Sequence, residues 1–154
     1  VEDCEKHNLD PIYLSYFVPW DTHHNYEVAK RFGFRHLDHE YNREGTLENY
    51  NQIDSIGYLL GQYLKYPKYG HGSATEMASR WIRSGMKTRE EMIPFVKERD
   101  KKLDQGIVDK FLEFTHMPIK EFWTIMDKWY NPEFFEQDKD GIWHEKFEVG
   151  IGLK

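Results

Sequence analysis

The sequence lacks the features that several common classes of protein require. Its 154 residues contain a single cysteine, Cys4, so neither an internal disulfide nor a multi-cysteine zinc site can form within the chain. No apolar run approaches the roughly 18 residues of a membrane-spanning helix. The net charge of -6 argues against general nucleic-acid binding, which needs a basic face to neutralise phosphates. We therefore expect a cytoplasmic protein with no membrane span and no nucleic-acid partner.

Short catalytic motifs are equally scarce. The chain contains no GxSxG, no P-loop, no Rossmann glycine fingerprint and no HExxH. Cys4 and His7 lie in a polar lead where nothing fixes them as a nucleophile and base. The adjacent pair His23 and His24 and the HxxH pair His36 and His39 lack a converging third ligand, so we interpret these histidines as surface or capping residues and expect no metal site.

The composition is instead rich in aromatic residues, which make up 16% of the chain, while the mean hydropathy is -0.83. Residues 12–18, IYLSYFV, resemble a buried strand with apolar side chains on both faces. Asp21 or Thr22 can cap a following helix to about Phe32, with Gly33 as its stop. This predicts one βα unit. Because one strand cannot satisfy its own edges and the chain begins with Val1, we expect a fragment whose sheet partners lie upstream.

Helical signals dominate after residue 50. We predict helices over about 51–65 (ended by Pro67), 104–115 and 119–130, the last with Pro118 near its start and the apolar stripe Phe122, Trp123, Ile125, Met126 and Trp129. Ser73 to Glu76 and Thr88 to Glu91 both match the capping-box pattern, and Gly85 stops the helix between them. Asp138 to Gly141 predicts a hairpin turn rather than a calcium loop, since no glutamate follows at the required position.

Two glycine-containing segments are candidates for ligand binding. REGT at 43–46 places a glycine between charged and polar residues. KYGHGSAT at 68–75 places Lys68, two glycines and His71 before a helix N terminus, where free N–H groups favour an anion such as phosphate. The alternative is a connecting turn whose glycines only relieve backbone strain.

The order of these segments resembles a known family. YFVPWD at 16–21, REGT with Tyr50 and Ile53-Asp54 after it, YLKYPKYGHGSATEMASRWIRSGMKTREE at 63–91 and EFWTIMDKWYNPEFFE at 121–136 are similar to the C-terminal half of N-acetyl sugar amidotransferases of lipopolysaccharide and O-antigen biosynthesis. That family belongs to the PP-loop ATP pyrophosphatases. The most specific part is Arg83, Gly85, Thr88, Arg89, Glu90 and Glu91. The upstream S-G-G-x-D-S loop and cysteine pairs of the family are absent here.

The resemblance implies an α/β fragment that is predominantly α-helical, with one βα unit completing an upstream parallel sheet, then a helical region and a C-terminal hairpin. Residues 1–50 would end the ATP pyrophosphatase-like domain, and 51–154 would form the helical C-terminal region. The parent enzyme would use ATP and Mg²⁺, bound mostly outside this chain, to convert a sugar N-acetyl group into an acetamidino group. Its partners would be a nucleotide-linked sugar, a glutaminase supplying ammonia and a possible second copy, and the chain alone would be inactive.

The resemblance also implies a set of site residues. Asp21 would face the nucleotide cleft, and the substrate-binding residues would be Arg43, Glu44, Gly45, Lys68, Tyr69, Gly70, His71, Gly72 and Thr75. His71 stands where the family has an apolar or aromatic residue, and Glu76 stands where it has aspartate. Two other interpretations remain open. The chain could be a non-catalytic helical module that binds a protein partner, or part of another ATP pyrophosphatase-type synthetase.

Overall fold

The computed structural model describes residues 2–36, 43–53, 55 and 57–153. The chain divides into two compact units, Val1–Arg35 and His36–Lys154, which are described separately below.

The first unit holds two helices joined by a turn. Helix α1 spans Glu2–Lys6, and helix α2 spans Thr22–Arg31. Asp21 is the N-cap of α2, because its carboxylate accepts a hydrogen bond of 2.6 Å from the backbone N–H of His24. Gly33 follows the helix with a φ of 92°, in the left-handed region that favours glycine. The helix predicted to run to about Phe32, its cap at Asp21 and its stop at Gly33 are therefore confirmed.

The strand predicted over 12–18 is wrong. The segment forms a 3-10 turn at Leu14–Tyr16, and its apolar side chains are exposed. Its backbone is satisfied locally, since the N–H of Tyr16 donates to the carbonyl of Tyr13 and that of Phe17 to Leu14. No described residue pairs with it in a sheet, and an isolated strand would leave its backbone groups unpaired.

In the second unit, the helix predicted over about 51–65 starts later than residue 51. Residues 51–53 form bends and turns, with Gln52 at a φ of 52°, and α3 spans Gly57–Tyr63. A separate short helix, α4, spans Lys65–Tyr69 and contains Pro67 instead of ending before it. Pro67 is the third residue of α4, where a missing N–H costs no intrahelical bond because first-turn N–H groups have no partner.

Four longer helices follow: α5 (Ser73–Arg83), α6 (Arg89–Arg99), α7 (Gln105–Thr115) and α8 (Ile119–Asp127). Gly85 takes a φ of 73° just beyond α5, as the stop signal predicts. The second capping box is confirmed, since Thr88 and Glu91 exchange side-chain and backbone hydrogen bonds at the start of α6. Asp104 caps α7, and Pro118 precedes α8.

The buried side chains of these helices form two clusters. One joins α3, α7 and α8 through Leu59, Leu60, Ile107, Val108, Phe122 and Met126. The other joins α5 and α6 through Ala78, Met92 and Val96. Of the apolar stripe predicted on α8, Phe122 and Met126 are buried, whereas Trp123 and Trp129 remain 41% and 45% exposed.

The C-terminal part contains short antiparallel strands. Strands β1 (Phe135–Gln137) and β2 (Trp143–Glu145) form the predicted hairpin around Asp138–Gly141, and β3 (Phe147–Glu148) pairs with β4 (Gly152–Leu153). The prediction of a predominantly helical chain with a C-terminal hairpin is confirmed. None of the helices in the described ranges is long and apolar enough to cross a membrane.

Candidate functional site

Both predicted glycine segments pack against the same turn, residues 99–104. The backbone N–H of Glu44 donates to the Asp104 carboxylate at 3.2 Å. Gly45 has a φ of 71°, and a Cβ there would lie 2.5 Å from the carbonyl oxygen of Lys102. On the other segment, a Cβ at Gly72 would lie 3.1 Å from the backbone oxygen of Asp100. The backbones of both segments therefore come so close to the 99–104 turn that a side chain would collide with it at position 45 and crowd it at position 72, which explains the glycines there.

The REGT segment has internal partners. Arg43 is 4% exposed, and its Nη1 donates to the backbone oxygen of Asn51 at 2.6 Å. Arg99 Nη1 donates to the backbone oxygen of Thr46 at 2.6 Å. These two guanidinium groups therefore hold the segment 43–51 in place.

The helix N terminus predicted to bind an anion is already capped by the protein. The Asp100 carboxylate accepts a hydrogen bond of 3.0 Å from the Thr75 backbone N–H and another from the Thr75 hydroxyl. Ser73 is the first helical residue and makes no cap, and Glu76 instead pairs with Lys65 at 2.6 Å. The capping box predicted over 73–76 is therefore wrong. A resident carboxylate at this position repels a phosphate, so the expected anion site at the N terminus of α5 is corrected as well.

A small internal cavity lies between the two segments, lined in part by Glu44, Gly45, Ser73, Asp100 and Asp104. Its volume of about 10 Å³ is near the lower limit for one water molecule and far too small for a nucleotide.

The outer face of α5 carries a larger groove. Its volume is about 420 Å³, within the range of small-molecule sites, and its lining residues are His71, Thr75, Glu76, Ser79, Arg80 and Arg83. Thr75, Ser79 and Arg83 are four residues apart, as are Glu76 and Arg80, so one helix places all five on one side. Helix α5 is held rigidly, because Asp100 caps its start and its opposite face packs on α6.

The groove is electropositive in a chain that is acidic as a whole. Its one carboxylate, Glu76, is neutralised by Lys65. Arg80 lies 3.4 Å from the buried Glu48, and Arg83 is exposed and has no ion pair with any residue that the structure describes. The His71 ring stacks on Tyr69 with centroids 6.1 Å apart. Two guanidinium groups and the Ser79 hydroxyl can donate several hydrogen bonds to one anionic ligand.

The other predicted residues of the 68–75 turn support its shape. Lys68 Nζ lies 4.1 Å from the ring centroid of Trp129, a cation–π contact. Gly70 has a φ of 72°, and a Cβ there would lie 3.1 Å from the Phe147 ring. The Tyr66 hydroxyl donates to Glu145 at 2.5 Å, and burial, together with this hydrogen bond, raises the pKa of Tyr66 far above its usual value. The turn is therefore fastened to the C-terminal strands.

Of the predicted substrate-binding residues, the structure brings only His71 and Thr75 into the groove. Ser79, Arg80 and Arg83 also line the groove and were not predicted from the sequence. Their signal was the four-residue spacing from Thr75 and Glu76, which puts polar and basic side chains on one face of α5. Asp21 lies in the first unit as the cap of α2.

Metal-binding clusters of three or more His, Cys, Asp or Glu side chains are absent from the described part of the chain. His39, one member of the HxxH pair, lies outside that part. At the hairpin turn, Asp138 accepts hydrogen bonds from the backbone N–H groups of Asp140 and Ile142 and contacts His144 at 2.7 Å. Its carboxylate thus serves the turn itself.

Comparison with known proteins places the chain in a family. A search of curated proteins found no match. The family model described as "LPS biosynthesis protein WbpG-like, C-terminal domain" matches residues 44–148, a range that contains the groove, both clusters of buried side chains and the hairpin. Because the match covers more than half of the sequence, the chain belongs to the family of WbpG-like C-terminal domains of lipopolysaccharide biosynthesis proteins.

Proposed function

We propose that this chain is the C-terminal part of an ATP-dependent amidotransferase that acts on a nucleotide-linked N-acetyl sugar in lipopolysaccharide and O-antigen biosynthesis. Family membership supports a role in lipopolysaccharide biosynthesis. The resemblance of the sequence motifs supports O-antigen biosynthesis, the amidotransferase reaction and the relationship to PP-loop ATP pyrophosphatases. The single structural observation that carries the proposal is the electropositive groove on α5.

In the proposed reaction the acetamido oxygen attacks the α-phosphorus of ATP and releases pyrophosphate. Ammonia then adds to the activated carbon, AMP leaves with the former amide oxygen, and an acetamidino group results. ATP and Mg²⁺ would bind mainly to parts of the enzyme outside this chain, and a glutaminase partner would supply the ammonia. The role of this chain is to bind and orient the sugar substrate.

The groove suits the diphosphate of a nucleotide-linked sugar. Arg80 and Arg83 lie three residues apart on α5, so their guanidinium groups can reach neighbouring phosphate oxygens. Ser79 adds a hydroxyl donor, and His71, which lies between the two glycines of the turn, also lines the groove. Thr75 contributes less, because its hydroxyl already donates to Asp100. The turn that carries His71 is shaped by Lys68, Tyr69, Gly70 and Gly72. Residues 43–45 pack against the 99–104 turn, which Gly72 also contacts.

Calorimetric titration of the chain with UDP-N-acetylglucosamine, as a probe nucleotide-sugar, tests this assignment. Arg80→Ala and Arg83→Ala should each weaken binding by about tenfold, since each removes a charge-assisted hydrogen bond. Lys120→Ala is the matched control, because Lys120 is an exposed cation on α8, away from the groove lining. Equal affinities for the wild type and all three variants would contradict the groove assignment.

The competing function is a module that binds only protein. The exposed Trp123 on α8 and Trp129 just after it favour this function as the second candidate. Such a module would bind the glutaminase without responding to the nucleotide-sugar.

A further inference from the structure

Glu48 is a charged residue that the protein buries almost completely. It is 1% exposed, although it lies in an irregular segment where a glutamate could easily face water. Its Oε1 accepts a hydrogen bond of 2.7 Å from the Trp81 indole N–H. Its Oε2 accepts from the Asn51 amide at 3.3 Å and lies 3.4 Å from Arg80 Nη2. A buried carboxylate is costly unless donors surround it, so this arrangement calls for a specific role.

The carboxylate connects the partly buried segment 43–51 to the groove. Arg80 is both a partner of Glu48 and a lining residue of the groove, with 35% of its side chain exposed. Its Nε is buried and finds no hydrogen-bond partner in the described structure, so Glu48 is the group that directs this guanidinium. We propose that Glu48 is a positioning residue that holds Arg80 in the orientation needed to bind an anionic ligand in the groove. This inference rests on the proposed function of the groove.

Glu48 is itself held firmly enough for this task. Trp81 donates to one of its oxygens and Asn51 to the other. The segment that carries it is anchored by the bonds from Arg43 to Asn51 and from Arg99 to Thr46, each 2.6 Å long. A partner that cannot move restricts Arg80 to few rotamers, and preorganisation of this kind lowers the entropy lost on binding.

Glu48 has a second, opposing electrostatic effect on the groove. Its negative charge lowers the positive potential around Arg80, so charge alone predicts that removing it strengthens anion binding. If Glu48 positions Arg80, removing Glu48 should instead weaken anion binding. Glu48→Asp separates the two, because it keeps the charge but shortens the side chain by one methylene, so that the carboxylate withdraws from Arg80. Glu48→Gln keeps the length, removes the charge and presents an amide whose N–H donors face other donors.

The test compares the affinity of these variants for the same probe, UDP-N-acetylglucosamine, with their melting temperatures. We expect both Glu48→Asp and Glu48→Gln to bind about three- to tenfold more weakly, approaching the effect of Arg80→Ala. In the Arg80→Ala background, adding Glu48→Gln should change the affinity by less than about twofold, because the residue to be positioned is gone. The stability control is Val108→Ala, which leaves a cavity in the buried cluster of α3, α7 and α8, is not among the groove-lining residues, and should lower the melting temperature without changing affinity.

The outcomes are distinct. If the wild type does not bind the probe, the groove assignment fails and this inference fails with it. If the wild type binds and Arg80→Ala weakens binding while folded Glu48→Asp does not, only the positioning role is overturned. If Glu48→Asp does not fold, Glu48→Gln decides: weaker binding supports positioning, and equal or tighter binding shows that charge dominates and refutes it.

Discussion

Replacing Asp100 with alanine should destabilise the second unit substantially. Asp100 is 5% exposed and caps α5 from a distant part of the chain, through the Thr75 backbone N–H at 3.0 Å and the Thr75 hydroxyl. Loss of an N-cap costs about 1 kcal/mol, and leaving partly buried donors unpaired costs about 1–2 kcal/mol more. We therefore expect Asp100→Ala to lower the free energy of unfolding by about 2–3 kcal/mol.

Urea denaturation followed by far-ultraviolet circular dichroism measures this change, and the melting temperature should fall by about 4–10 °C. Asp109→Ala is the matched control, since it removes the same charge from an exposed position on α7 and should alter stability by no more than about 0.5 kcal/mol. Thr75→Val, which replaces only the hydroxyl with a methyl group, should cost about 1 kcal/mol. If Asp100→Ala is as stable as Asp109→Ala, the account of how α5 is held would be refuted.

Two further predictions concern the loops. Gly45→Ala should lower the free energy of unfolding by at least about 2 kcal/mol, because it combines a φ of 71° with a Cβ 2.5 Å from the Lys102 oxygen. The control is Gly61→Ala inside α3, where the space around the glycine is open, and this change should raise the free energy of unfolding by about 0.5–1 kcal/mol. Equal effects of the two variants in chemical denaturation would contradict the close approach at Gly45. The pKa of Asp138 is held below its ordinary value by the His144 hydrogen bond and then by the Ile142 N–H, so its contribution to the hairpin is complete above the ordinary carboxyl pKa and is lost as the pH falls through the lowered one. Nuclear magnetic resonance titration of the hairpin amides should show this transition, and Asp138→Asn should abolish it.

Local signals were sufficient for several elements. Thr88 and Glu91 are three residues apart and satisfy each other, so their capping box formed as predicted. The Asp21 cap, the Gly85 stop and the 138–141 turn also depend on partners within a few residues. The helices predicted over 104–115 and 119–130 formed close to those bounds, but of the apolar stripe predicted on the second only Phe122 and Met126 are buried.

The candidate site needed long-range information. Five of the six groove residues lie on α5 and His71 lies just before it, but the pairing of Arg80 with Glu48 and of Glu76 with Lys65 decides how these charged side chains are presented. These pairings join residues 32 and 11 positions apart, and no periodicity in the sequence indicates them.

The sequence by itself determined the helical character of the chain, its turn residues and its hairpin, because each follows from interactions within a few residues. Only the tertiary structure decided what caps α5. Ser73 to Glu76 has the same local pattern as Thr88 to Glu91, but Asp100, brought in from 25 residues away, takes the cap, and Glu76 turns to Lys65 instead. For the same reason a carboxylate already occupies the N terminus of α5, where we expected an anion to bind, while two guanidinium groups line the groove that we propose as the anion-binding surface instead.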